Sequence, residues 1–506
     1  MKIINAFILT VLLSIFLIHV SAQTTKRQMR AVWVATVSNL DWPSKKGLSA
    51  QQQQAEMIRM LDEFKANNIN TVIFQARPCA DVFYESKLEP WSMWLSGKQG
   101  VPASPYYDPL QFVIEEAHKR CMEVHVWVNP FRALNYEDVS LFSKDHIYNR
   151  RKNMFVKFAG KYYFDPGLKE TRDYLNDIVT EIVQKYDIDA IHFDDYFYPY
   201  PVAKEKFNDD ESFHKDPRGF THRGDWRRDN INLTMKQLHK TIKSLKPWVD
   251  FGVSPFGIWR HRGNDPRGSA TYRALSDYDD LYADVLKWLK EGDVDYVTPQ
   301  LYWEIGKKNT NYQILADWWA KNCYGRNLYI GLDVCGFNDY KAAAWHNPNE
   351  LVRQIRLNKS YPNIKGEMFF RAKYFMQNIQ GLNDALKQEL YTKPALVPVN
   401  NSIKTEPSAQ PKRVVLDDAN SKFVLKWDRV EAEDGKKVAY YVVYAFKGKG
   451  IGSINDAENI IGVTADNSLD ITAFATQKQG HYSFVVTSIN RYRCESTVKS
   501  YLVKKF

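Results

Sequence analysis

Asp194 and Asp195 stand side by side at the end of the apolar run Ile191-His192-Phe193, and two more acidic residues, Glu304 and Asp333, follow other apolar runs. Carboxyl groups so placed suit general acid/base work. Hydrolysis of a glycosidic bond needs two of them, one to protonate the leaving oxygen and one to act as nucleophile or to activate water. Asp194, Asp195 and Glu304 are the catalytic candidates, with Asp333 kept among residues that touch substrate. Arg77 and Arg132 suit holding a carboxylate ionised or binding an anionic substituent. His125 and His192 occur singly on separate runs, without an H-x-H pair, and read as hydrogen-bonding substrate contacts rather than metal ligands. Structural alternatives stay open: Asp194 as the ion-pair partner of Arg77, Glu304 as a solvated loop residue, the histidines as satisfied interior groups.

These residues need a scaffold that gathers strand ends. Strand-like runs at 31–37, 71–77, 123–129, 190–194, 250–254, 296–301, 328–332 and 366–370 alternate with helical runs at 51–67, 110–120, 170–186, 230–246, 281–291, 314–322, 350–358 and 383–390. Eight β/α repeats predict an α/β chain folded as a (β/α)8 TIM barrel. Strand side chains alternate between two faces. The apolar parity of Ile191 and Phe193 faces the helices, so His192 and Asp194 face the lumen. By the same rule His125, Trp127 and Asn129 share a face, as do Gln75 and Arg77, and as do Thr298, Gln300, Tyr302 and Glu304. Connections after strands, at 78–109, 130–168, 195–229 and 255–278, are much longer than those before them, which builds up the face where such barrels carry their active sites.

The flanks set the context. Lys2, an apolar run at 8–20 and the small residues Val20-Ser21-Ala22 read as a signal peptide over 1–22, with Gln23 as the mature start and a retained anchor as the alternative. This predicts a periplasmic or extracellular protein with no integral membrane segment after cleavage. The net charge of +10 and pI of about 9.0 fit an anionic wall polymer or plain solubility. Export argues against nucleic acid. Five cysteines without zinc spacing make no dense disulfide framework. The barrel is expected over 28–391, a proline-bearing linker over 392–412, and a small all-β, immunoglobulin-like sandwich resembling fibronectin type III over 413–506, with Trp427, Tyr441 and Tyr482 in its core.

Five motifs carry a wider resemblance: Phe74-Gln75-Ala76-Arg77-Pro78 with Asp81; His125-Val126-Trp127-Val128-Asn129-Pro130-Phe131-Arg132; Ile191 to Pro199, including Tyr196; Phe251-Gly252-Val253-Ser254-Pro255-Phe256-Gly257-Ile258-Trp259-Arg260; and Tyr296 to Trp303. In order along the barrel, they resemble the glycosyl hydrolase-like 10 family of bacterial envelope proteins. The resemblance implies a glycosidase without a cofactor, acting on a polysaccharide, with peptidoglycan strands stripped of stem peptides as the expected substrate. It matches Asp194 and Asp195 to the family's paired aspartates and Tyr302 to its tyrosine. Arg77, Asp81, His125, Asn129, Arg132, His192, Tyr196, Trp259, Arg260, Gln300, Tyr302, Trp303 and Asp333 are the expected substrate contacts. A wall-binding protein without activity and a metal-dependent deacetylase are the competing readings.

Overall fold

The computed structural model describes residues 25–134 and 138–506; the expected signal peptide lies outside the described residues. Eight parallel strands, β1 (Met29–Val34), β2 (Thr71–Arg77), β3 (Glu123–Val128), β4 (Ala190–Phe193), β5 (Asp250–Val253), β6 (Tyr296–Val297), β7 (Asn327–Asp333) and β8 (Ile364–Phe370), close into a barrel in sequence order. Trp33, Ile73, Trp127, Tyr296, Tyr329 and Met368 fill the lumen, while the other parity of each strand packs against the helices. Helix Ala50–Ala66 starts on a capping box, with Ser49 accepting from the Gln52 amide and Gln52 reaching back to Ser49. Helix Pro109–Lys119 starts on Asp108 with proline in its first turn.

Two departures from simple alternation matter at the site. The β6 ladder stops at Val297, short of the expected 301. Pro299 has no amide to give a ladder, yet Gln300 still bridges Phe256 and Gly331, so the chain stays in line with the barrel. In β2 the register against β3 slips between Gln75 and Arg77, so that Gln75 pairs with Trp127 and Arg77 with Val128. That bulge reverses the parity of everything after it.

The loop after β3 makes a small antiparallel sheet of Arg132–Leu134, Phe155–Phe158 and Lys161–Phe164. Beyond the barrel, a three-stranded and a four-stranded antiparallel sheet form the C-terminal module; Trp427, Tyr441 and Tyr482 share its core. The stretch expected as a linker is packed at several points. Leu396 exchanges backbone hydrogen bonds with the segment entering β1, Val397 joins the lumen cluster, and Asn400 donates to Asp250 at 2.7 Å and Asp295 at 2.9 Å. The five cysteines are unpaired.

Candidate active site

β4 ends at Phe193, and the next two residues hang over the barrel mouth. The amide of Asp195 donates to Asp194 Oδ1 at 2.8 Å. Gln300 Nε2, held by the Ser254 carbonyl at 2.9 Å, reaches the same Asp194 oxygen at 3.1 Å. Tyr200 donates its hydroxyl to Asp195. Both carboxyls line a cleft of about 210 Å³ whose walls include Trp33, Arg132, Tyr196, Tyr302 and Phe370. Tyr302 stacks on Phe370 with ring centres 5.9 Å apart, and Trp33 meets Phe370 edge-on at 6.1 Å. Such aromatic faces suit sugar rings, whose C–H faces are apolar and whose rims hydrogen-bond.

Burial decides the electrostatics. Asp194 is 9% exposed and Asp195 3%. Burial raises the pKa of Asp194, against the pull of the Asp195 amide, Arg132 and Gln300. Asp195 is raised much further, first by burial and then by the charge of Asp194. The two carboxyls titrate as a pair, with Asp195 the more reluctant of the two to ionise. Arg132 lies 3.9 Å over the Tyr196 ring and faces this pair.

Of the expected site residues, Asp194, Asp195, Arg132, Tyr196, Gln300 and Tyr302 come together around this cleft. The others do not line it. The bulge in β2 turns Arg77 out of the lumen into a fully buried ion pair with Glu89, at 2.6 and 2.7 Å. Glu304 accepts from Trp345 Nε1 at 3.1 Å and lines a neighbouring pocket with Trp303 and Lys307; the chain bends at Trp303, which ends the strand parity that had joined Glu304 to Asp194. Asp333 caps the Cys335 amide at 2.9 Å. Asp81 accepts from Gln99 at 3.1 Å, and burial raises its pKa to about 6. Asn129 holds Trp127 Nε1 and the Pro78 carbonyl. Trp259 stacks on Trp318, and Arg260 braces its loop through Asp279 and Asp265. His125 and His192 are buried beneath the cleft with both ring nitrogens of each engaged by neighbours.

Trp33, Gln75, Tyr200, Ser254 and Phe370 line the cleft without having been singled out as substrate contacts. Parity applied to β1 and β8 would have found Trp33 and Phe370. Gln75 spends its carbonyl oxygen on the amides of Thr36 and Val37, both at 2.9 Å. Its Nε2 is buried without a hydrogen-bond partner among the described residues. Asp277 escaped attention because it lies far along the loop after β5. It is fully buried, and burial together with the nearby Asp195 raises its pKa strongly.

A family model described as glycosyl hydrolase-like 10 matches residues 28–345. Glycosyl hydrolase YngK of Bacillus subtilis is 41% identical over 98% of both chains. Glycosyl hydrolase DigH of Escherichia coli is 37% identical over 380 residues, 70% of this chain and 85% of that protein. Among solved structures, the PgaB (BpsB) glycoside hydrolase domain from Bordetella bronchiseptica aligns at 11% identity and a TM-score of 0.48, over 71% of this chain and 98% of that one, a likeness too distant to bear on chemistry.

Proposed function

This chain belongs to the glycosyl hydrolase-like 10 family and is a glycoside hydrolase, and on that premise we propose that it cleaves glycosidic bonds in a bacterial envelope polysaccharide, namely peptidoglycan glycan strands lacking stem peptides. The observation that carries the chemistry is the Asp194–Asp195 pair at the end of β4, Asp195 holding its proton more tightly than Asp194, in an open cleft walled by aromatic rings. The substrate assignment draws on the leader-like start of the chain and on its charge of +10, which favours an anionic wall polymer. The same features support a periplasmic or extracellular location.

The contact between the two carboxyls bears on mechanism. Flanking carboxyls sit about 5–5.5 Å apart in retaining glycosidases and about 6.5–9.5 Å apart in inverting ones. Asp194 and Asp195 are consecutive residues tied through the Asp195 amide, so they act from one side of the bond as a unit. Asp195 delivers its proton to the leaving oxygen and is left as a carboxylate. Asp194, oriented by Gln300 and the Asp195 amide, stabilises the positive charge that develops at the anomeric carbon. On a 2-acetamido sugar the acetamido oxygen of the substrate attacks from the opposite face, and water then opens the cyclic intermediate from the side of the pair, giving its proton back to Asp195.

The test incubates the wild type and Asp194→Asn with denuded glycan strands and with intact sacculi, and reads products by mass spectrometry. Short muro-oligosaccharides from denuded strands with the wild type alone support the reading. Cleavage by the variant at the wild-type rate removes Asp194 from the mechanism. Inertness of the wild type toward both polymers removes the proposed substrate.

A further inference from the structure

Below the cleft, hydrogen-bonded side chains cross the barrel lumen from end to end. His192 Nε2 receives the indole N–H of Trp33 at 3.3 Å and lies 2.9 Å from Ser254 Oγ. An indole N–H can only donate, so Nε2 is unprotonated, the serine hydroxyl donates to it as well, and the ring proton sits on Nδ1. That N–H donates to the Tyr296 hydroxyl at 2.9 Å. Tyr296 must then give its own proton to His125 Nδ1, 2.8 Å away. His125 Nε2–H in turn donates to Glu123 Oε2 at 3.2 Å.

The far end confirms the direction. Arg493, carried by the C-terminal module, enters the barrel floor and grips Glu123 through two bonds of 2.6 and 2.8 Å, while its remaining nitrogen holds Asp250 at 2.5 Å. A carboxylate so held accepts, as the chain of donors requires. The lumen is shaped for this path: a Cβ on Gly252 would stand 2.0 Å from the Tyr296 ring. At the cleft end, the Ser254 carbonyl fixes the Gln300 amide that holds Asp194.

We propose that Arg493 is a positioning residue for catalysis, acting across the whole barrel. By keeping Glu123 ionised it gives every hydrogen bond in the lumen one direction, and that direction holds Trp33 and Ser254, and through Gln300 the carboxylate of Asp194. Without the arginine, Glu123 takes up a proton and donates to His125 Nε2. Both imidazoles then change tautomer, and His192 Nε2–H points at the indole N–H of Trp33, two donors face to face. The C-terminal module is on this view a part of the catalytic machinery's support. The catalytic half of the proposal rests on the assignment of Asp194 above; the tautomers do not.

The experiment uses the full chain with 15N-labelled histidine, in the wild type, Arg493→Met, Arg493→Lys and Glu123→Gln. Glu123→Gln removes the charge but leaves Arg493 on Asp250, so it carries the test if Arg493→Met does not fold. NMR reads the tautomers of His125 and His192, and turnover is measured on a soluble denuded glycan. The expected wild-type state is Nδ1–H on His192 and Nε2–H on His125. Arg493→Met and Glu123→Gln should redistribute both tautomers and lower kcat by about ten- to a hundredfold with KM nearly constant. Arg493→Lys should restore both. Wild-type tautomers in Glu123→Gln overturn the relay, and redistributed tautomers with unchanged kcat overturn the positioning role. A wild type inactive on the glycan sinks the substrate assignment while leaving the tautomer result to stand or fall by itself.

Discussion

The backbone amide of Asp195 donates to Asp194 Oδ1 at 2.8 Å, so the first carboxyl of the pair is oriented by the backbone that carries the second. Neither can move without disturbing the other, and neither titrates alone. Asp194→Asn and Asp195→Asn should each lower kcat by about 10²–10⁴. The double variant should be little worse than the poorer single one, because the residues act as a unit. Steady-state kinetics on the three variants checks this; multiplicative losses would mean that the two carboxyls contribute independently.

Arg132 controls the acidic limb of the pH profile. Burial raises the pKa of Asp194 and Arg132 is among the groups pulling it back down. Catalysis needs Asp194 ionised, so activity is lost as pH falls through its pKa. Arg132→Met removes that pull and should move the acidic limb of kcat/KM to higher pH. Arg132→Lys should return it part of the way, since it keeps a cation but not the planar contact with Tyr196. An unmoved limb in Arg132→Met would detach the arginine from the pair.

Arg77 and Glu89 should matter to stability rather than to turnover. Both are fully buried and joined by two short bonds. Removing one partner strands the other charge in the interior, which costs about 3–5 kcal/mol. Glu89→Gln and Arg77→Met should therefore lower the denaturant midpoint markedly while the folded fraction keeps its kcat/KM within a few-fold. A selective loss of activity at unchanged stability would return Arg77 to the substrate site.

The barrel was legible because β/α alternation and loop asymmetry are properties of local pattern, and the ends of β4 and β6 were legible because lumen parity runs unbroken through His192–Asp194 and Thr298–Gln300. What misled was a change of direction that pattern does not record. One extra residue in β2 reverses the face of Arg77, and a bend at Trp303 takes Glu304 to another pocket. The lumen histidines looked like substrate contacts because two of their partners, Tyr296 and Ser254, come from other strands. Arg493 was invisible for the same reason, more than two hundred residues from Asp250 along the chain. Asn400, within a proline-bearing stretch whose composition reads as a tether, is buried against the barrel floor.

Asp333 makes a last distinction, between a carboxyl that works and one that only supports. It caps the Cys335 amide at 2.9 Å, and burial raises its pKa from 3.8 to about 6, with Tyr340 and Cys335 opposing. A carboxyl that binds its proton more tightly in the folded chain adds stability fully below the unfolded value and loses it as pH rises through the folded one. The contribution of Asp333 therefore fades between about pH 4 and pH 6. Asp333→Asn keeps an oxygen for the Cys335 amide and has no proton to lose in this range. Its melting temperature relative to wild type should thus improve steadily from pH 4 to pH 7 and level off above. Asp81, also raised to about 6, keeps a residual slope of the same sign in both proteins. A difference that stays flat with pH would show that folding does not raise the pKa of Asp333.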